Sequence, residues 1–340
     1  LPEADFDAAI TFTIDAVPAT VSATGLLQRV GSPSYWIQGP ICSELIFRDY
    51  TPNVAQQLNV QWRVRAYPGW PGLRVETVVD NDWVGYRGNI DYDFSLSLGH
   101  DNPTVVRQTS DFRHNANARW HLTHWLGDAP PQVEIHYDLD YLIRTGLIPT
   151  YDTALVVPES TIASAYASWQ SSSHDIMDSG IIETYFGTTG GRQDLGILPT
   201  WTARYLLSWD NRLRDVMLNC ADLSGSIPIH YRESDPNRSF YTHVMSIDDR
   251  PTIWAGEWDF SGTSAADAVP AALDSETTIW SPDSAHQPEL ASVPYLLTGD
   301  LFYLEELYFW AGRNLSYNNW SYRGGDGSDG LLITQDTREI

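Results

Sequence analysis

The sequence predicts a chain in two parts, an N-terminal antiparallel β-sandwich over residues 1–140 followed by an (α/α) toroid, not necessarily closed, over residues 141–340. Three observations predict it. The first third alternates apolar and polar residues with period two, the later segments space apolar residues at helical intervals, and one helix–turn–helix signature occurs twice. At 340 residues the chain can bury two cores.

The strands come first. Ile10, Phe12, Ile14 and Ala16 alternate with Thr11, Thr13 and Asp15; Val60, Trp62, Val64 and Ala66 alternate with Gln61, Arg63 and Arg65; Tyr92, Phe94, Leu96 and Leu98 alternate with Asp91, Asp93, Ser95 and Ser97. Turn clusters separate them, such as Gly31-Ser32-Pro33, Tyr67-Pro68-Gly69 and Asp80-Asn81-Asp82. One face of each strand must be covered, and the other meets water or polar partners.

Beyond about residue 140, Ser160 to Gln170 and Trp201 to Asp222 carry helical spacing. Tyr205-Leu206-Leu207-Ser208-Trp209-Asp210 recurs as Tyr295-Leu296-Leu297-Thr298-Gly299-Asp300. A Pro lies ahead of each copy (Pro199, Pro288), Ser/Thr-X-Asp makes a turn, and helical spacing resumes at Leu213, Val216, Met217 and at Leu304, Leu307, Tyr308. This reads as one αα-hairpin built twice. Paired helices joined by long polar loops suggest a toroid with its site at one rim; a bundle with decorated loops is the competing reading. The longest loop, Glu233 to Pro288, favours the toroid and holds Trp254, Trp258 and Trp280.

Composition limits the function classes. The net charge is -24 and all twenty basic residues are Arg, so nucleic-acid binding is disfavoured. No apolar run is long enough to span a bilayer. The start of the chain lacks a basic region followed by an apolar one, so export rests on the remaining argument. Cys42 and Cys220 are read as free thiols, with a disulfide as the alternative. Fourteen Trp and eighteen Tyr belong either to the cores or to ring platforms for sugars.

Several segments resemble a known family. These are Gly187-Thr188-Thr189-Gly190-Gly191-Arg192-Gln193-Asp194, Ile227-Pro228-Ile229-His230-Tyr231-Arg232, His286-Gln287-Pro288 and Tyr295 to Leu307. With the order of sandwich then toroid, the chain resembles largely uncharacterised bacterial and phage proteins that look like polysaccharide lyases, with a super-β-sandwich joined to an (α/α) toroid. The resemblance implies an extracellular or virion-associated protein acting on a glycan. A further helix is expected from Leu331, and more chain or other subunits would complete the ring, as in a homo-oligomer.

Lyase chemistry on a uronic acid needs a base, a cation or amide on the carboxylate, and an acid for the leaving oxygen. His230, Tyr231 and Arg232 are the catalytic candidates; on an extended backbone His230 and Arg232 share a face and Tyr231 points away. The structural alternative puts Tyr231 in the core and pairs Arg232 with Glu233 or Asp235. His286 and Gln287 precede a helix and either cap it or face a cavity. Arg192 and Asp194 hold substrate hydroxyls or pair with each other. Trp201, Asp248 and Arg323 complete the substrate-binding candidates.

Asp248 and Asp249 with Glu257 and Asp259 could instead supply the carboxylates of a glycoside hydrolase. His121 and His124 are read as a fortuitous pair among packing aromatics. Zinc-protease and serine-hydrolase motifs are absent, and no cofactor is expected beyond structural calcium on the many Asp residues. The sequence thus supports a carbohydrate-active enzyme, lyase before hydrolase, or a non-catalytic structural or receptor-binding protein of a virion or extracellular assembly.

Overall fold

The structure is a computed structural model that describes residues 6–50, 58–85, 88–100, 102–188, 191–255, 260, 262–269, 278–283 and 286–322. It divides into two compact units. The first comprises the described residues of Leu1–Pro131 and Arg232–Pro236, the second those of Gln132–Tyr231, Asn237–Val269 and Thr278–Ile340. Among the described residues, two antiparallel sheets and seven α-helices make a mixed β-plus-α chain.

The first unit holds nine strands and one helix. They are β1 Asp7–Ile14, β2 Val17–Ser22, α1 Ala23–Val30, β3 Ser34–Gln38, β4 Ser43–Arg48, β5 Asn59–Ala66, β6 Leu73–Asn81, β7 Ile90–Gly99, β8 Thr104–His114 and β9 Ala118–Leu126. One sheet runs β2-β1-β7-β8 and the other β3-β4-β5-β6-β9. The alternating residues read from the sequence fall on β1, β5 and β7. Phe12, Phe94 and Leu96 are buried, and Phe94 stacks on Trp120 of the other sheet at 5.1 Å while Trp120 Nε1 donates to Tyr92 Oη at 3.0 Å. The two sheets therefore share one aromatic core.

The opposite face of the five-stranded sheet is charged and also buried. Arg65 pairs with Glu44, Arg63 with Glu76 at 3.1 Å, and Arg119 with Asp80 at 3.0 Å, each directly across a strand pair. His121 Nδ1 lies 2.6 Å from Glu76. His121 and His124 sit on β9, where residues three apart point to opposite faces, so they share none. Residues 232–236 return to this unit: Arg232 N donates to Asp82 O and Val84 N to Arg232 O.

The second unit contains α2 Leu139–Arg144, α3 Glu159–Ser171, α4 Thr200–Ser208, α5 Asn211–Leu223, α6 Ser292–Thr298 and α7 Leu301–Tyr317. The duplicated motif makes two hairpins with matching turns. Trp209 and Gly299 both adopt left-handed backbone (φ 57° and 66°), donate to Tyr205 O and Tyr295 O, and are followed by Asp210 and Asp300 as N-caps. Ser208 Oγ and Thr298 Oγ1 each donate back one turn and accept from the Asp amide. Pro199 caps α4 directly, whereas α6 starts later than Pro288 and takes its first bonds from Glu289. Helix α5 packs on α3, α4 and α6 around a filled apolar core that includes Trp169, Phe186, Trp201, Val216, Cys220 and Phe309. Cys42 and Cys220 are not joined by a disulfide. The helix expected at Leu331 lies outside the described residues.

Candidate functional site: a polar cleft in the helical unit

The His230-Tyr231-Arg232 trio does not form one centre. His230 is 0% exposed; its Nε2 lies 3.0 Å from Oε1 and 3.1 Å from Oε2 of Glu306 on α7, and its ring meets Phe309 at 4.8 Å. Glu306 also accepts from Ser224 Oγ at 2.8 Å. Tyr231 is buried as well, and burial pushes its phenol up to about 12. Arg232 belongs to the other unit, with its Nε 2.7 Å from Asp82 Oδ2 and its guanidinium 4.4 Å above the Tyr50 ring. A base sealed in this way reaches no polymer. Arg232 pairs with Asp82, where residues 82–84 and 232 run side by side.

Arg192 and Asp194, by contrast, are brought together at the rim of a cleft of about 730 Å3. Arg192 donates to both Asp194 oxygens, at 3.0 and 2.7 Å, and its Nη1 reaches the carbonyls of Phe186, Thr188 and His286. Its guanidinium also lies over the Phe186 ring. Asp194 accepts the amide of Glu183. One arginine thus fixes the loop that forms one wall, a task that needs the planar fork of Arg. Thr184, Phe186 and Ser281 add backbone bonds that hold the same loop.

The facing wall is α3, which presents Ser160, Thr161, Ser164 and Ser168 to the cleft at helical spacing. None of these four hydroxyls bonds to protein among the described residues. Between the walls, Gly180 takes φ +58°, and a Cβ there would lie 2.6 Å from Trp169 and 2.9 Å from Leu223, so the bend admits only glycine. Trp201 lines the cleft but is buried in the core, so it supports the wall and offers no ring face. Arg204, one turn further along α4, lines the cleft half-buried and makes no ion pair among the described residues.

His286 and Gln287 lie in the loop before α6. His286 Nδ1 is 2.7 Å from Asp283 Oδ2, its amide donates to Asp283 Oδ1, and its Nε2 bonds to nothing described. Gln287 Nε2 donates to the Asp283 carbonyl. Asp248 is exposed, and Asp249 accepts the amides of Ser239 and Phe240, which orders the long loop. Glu257, Asp259, Trp258 and Arg323 lie outside the described residues. No group of three or more His, Cys, Asp or Glu side chains converges as metal ligands would, and no helix is long and apolar enough to cross a membrane, among the described residues.

Comparison with known proteins identifies no relative. No family model, curated protein or solved structure matches the chain.

Sequence reasoning missed Arg204 and the α3 hydroxyls. Their signal was present: Ser160, Ser164 and Ser168 recur every four residues, which marks a helix face too polar for a core. The Trp content has a plainer basis, since Trp62, Trp83, Trp120, Trp169, Trp201, Trp209, Trp280 and Trp310 are all buried.

Proposed function

We propose that the helical unit is a non-catalytic glycan-binding module that takes a neutral, polyhydroxylated ligand in the cleft between α3 and the Arg192 loop. The observation that carries this reading is the pairing of groups in one concavity: among the described residues, four α3 hydroxyls that bond to no protein group line the same cleft as Arg204, which makes no ion pair there. Sugar hydroxyls both donate and accept, as Ser and Thr do, and vicinal oxygens suit the guanidinium fork. Glu183, also lining the cleft, adds an acceptor. The net charge of -24 disfavours a polyanion, so the ligand is uncharged. Such a protein is the receptor-binding or structural component of an extracellular or virion-borne assembly. The two αα-hairpins would be the repeating units of a toroid completed by further helices.

The test is a calorimetric titration with a panel of neutral and uronic oligosaccharides. The expected result is binding of a neutral member, weakened at least ~tenfold, or ~1.4 kcal/mol, by Arg204→Ala and by Ser164→Trp with unchanged unfolding midpoints. Absence of binding to every member at millimolar ligand would remove the reading.

A second reading rests on the His286 and Asp283 pair. A carboxylate on Nδ1 orients an imidazole for general-base work at Nε2, which bonds to nothing among the described residues. In that case the protein is a glycan lyase or hydrolase. Product release that His286→Ala abolishes, without loss of binding, would select it over the first.

A further inference from the structure

The segment that opens the second unit, Gln132-Val133-Glu134-Ile135-His136-Tyr137, has the alternation of a strand but no strand partner. Glu134 and His136 approach to 3.8 Å, as residues two apart do on one side of an extended chain. The segment is nevertheless anchored to its own unit: Arg214 Nη1 donates to Val133 O at 3.2 Å, and the Tyr137 ring packs on Trp209 at 5.3 Å. Backbone groups alternate along an extended chain, so the carbonyl of Val133 directed at α5 leaves the N–H and C=O of Glu134 and His136 directed outward. Neither of those amides donates to anything among the described residues. An exposed, unpaired edge of this kind is a template for another strand.

The sequence of the edge also says which strand. In antiparallel pairing with a second copy of itself about Ile135, Glu134 faces His136 of the twin, and His136 faces Glu134. Val133 faces Tyr137 on the other side, and the two Ile135 side chains meet on the axis. A carboxylate faces an imidazole that can donate to it, and apolar side chains face apolar ones, as a two-fold interface requires. Apolar exposure is concentrated here as well. Among the described residues, six of the eighteen exposed large apolar side chains lie between Val133 and Val156, with Val156 at 85% and Leu147 at 63%. Val133 and Ile135 themselves, 53% and 45% exposed, offer apolar surface to such a pairing.

We propose that two copies of the chain associate through residues 132–137, pairing antiparallel about Ile135, with Glu134 and His136 exchanging backbone hydrogen bonds across the two-fold axis. This proposal stands independently of the cleft. Sedimentation and light scattering over a concentration series test it first, and a reversible dimer is the expected result. His136→Pro, which removes an amide that would be donated across the axis, should weaken the dimer at least ~tenfold. Glu134→Arg should weaken it, and Glu134→Arg with His136→Glu should restore it, because the swapped pair is again self-complementary.

The geometry has its own readout. Ile135→Cys in a Cys42→Ser background should oxidise rapidly to a disulfide-linked dimer, since side chains on the axis of a non-hydrogen-bonded pair approach most closely. Val105→Cys, exposed on β8, should not. A wild type that stays monomeric throughout the series would overturn the proposal. So would a dimer indifferent to His136→Pro, or one in which Ile135→Cys cross-links no faster than Val105→Cys.

Discussion

Arg232 and Asp82 meet at 2.7 Å with both side chains buried, and Asp80 stands 3.6 Å from the same guanidinium. One cation is thus shared by two carboxylates, with Arg119 on the far side of Asp80. Removing Arg232 strands negative charge in the interior. Arg232→Ala should lower unfolding free energy by about 3–5 kcal/mol in urea titrations, and Arg232→Ala with Asp82→Asn should recover part of the loss. Equal midpoints for the single and double variants would contradict this account.

Burial pushes the Asp82 carboxyl up to about 6, against the pull of Arg232, and the Asp80 charge adds to the rise. A folded value above the ordinary 3.8 means that the native state binds this proton more tightly than the unfolded chain. The contribution is full below the unfolded value and is lost as pH rises through about 6. The stability of the wild type relative to Asp82→Asn should therefore fall between about pH 4 and 7. Denaturation midpoints of both proteins across that window are the measurement.

His230 is a structural residue on this geometry. His230→Ala would open a void against Phe309 and take the imidazole away from Glu306, a loss of about 2–4 kcal/mol. Glycan affinity per folded molecule should be unchanged. Calorimetric melting and ligand titration on one sample separate the two effects.

The two hairpin turns should lose stability by different amounts when the left-handed residue is replaced. At Gly299 a Cβ meets nothing within 4 Å, so Gly299→Ala costs only the left-handed backbone, about 1 kcal/mol. At Trp209 the backbone would gain from glycine, but the indole is buried against Tyr205 and Tyr137. Trp209→Gly should destabilise by about 3–5 kcal/mol. Chemical denaturation ranks the pair.

Arg192→Lys tests how the cleft wall is held. Lysine keeps the charge but cannot bond both Asp194 oxygens and several carbonyls at once. Ligand binding should weaken at least ~tenfold, and amide exchange in residues 183–188 should quicken. Unaltered exchange there would remove Arg192 from its role as anchor.

The strand and helix periods were legible because each is local. Phe12 and Ile14 alternate on β1, and Ser208 and Thr298 mark the same turn twice. The reading faltered where partners are distant in sequence. Gln61, Arg63 and Arg65 look water-facing in isolation; only the register with β4 and β6 shows both arginines paired with acids inside and Gln61 bonded to Asp80. His230 next to Arg232 looks like a constellation until Glu306 and Asp82 claim them separately. Arg192 with Asp194 was visible because the pair is two residues apart.

The charged face of the five-stranded sheet constrains how this protein can fold and change. A one-residue slip of β5 against β6 would withdraw Glu76 from Arg63 and turn Trp62 and Val64 away from the aromatic layer. Misaligned strands are therefore penalised twice, by stranded ions and by misplaced rings, which makes the ladder a proofreading device for strand alignment. Viable sequence drift along it proceeds by reciprocal exchange: an acid lost at Glu76 or Asp80 must be answered by a base surrendered on the neighbouring strand.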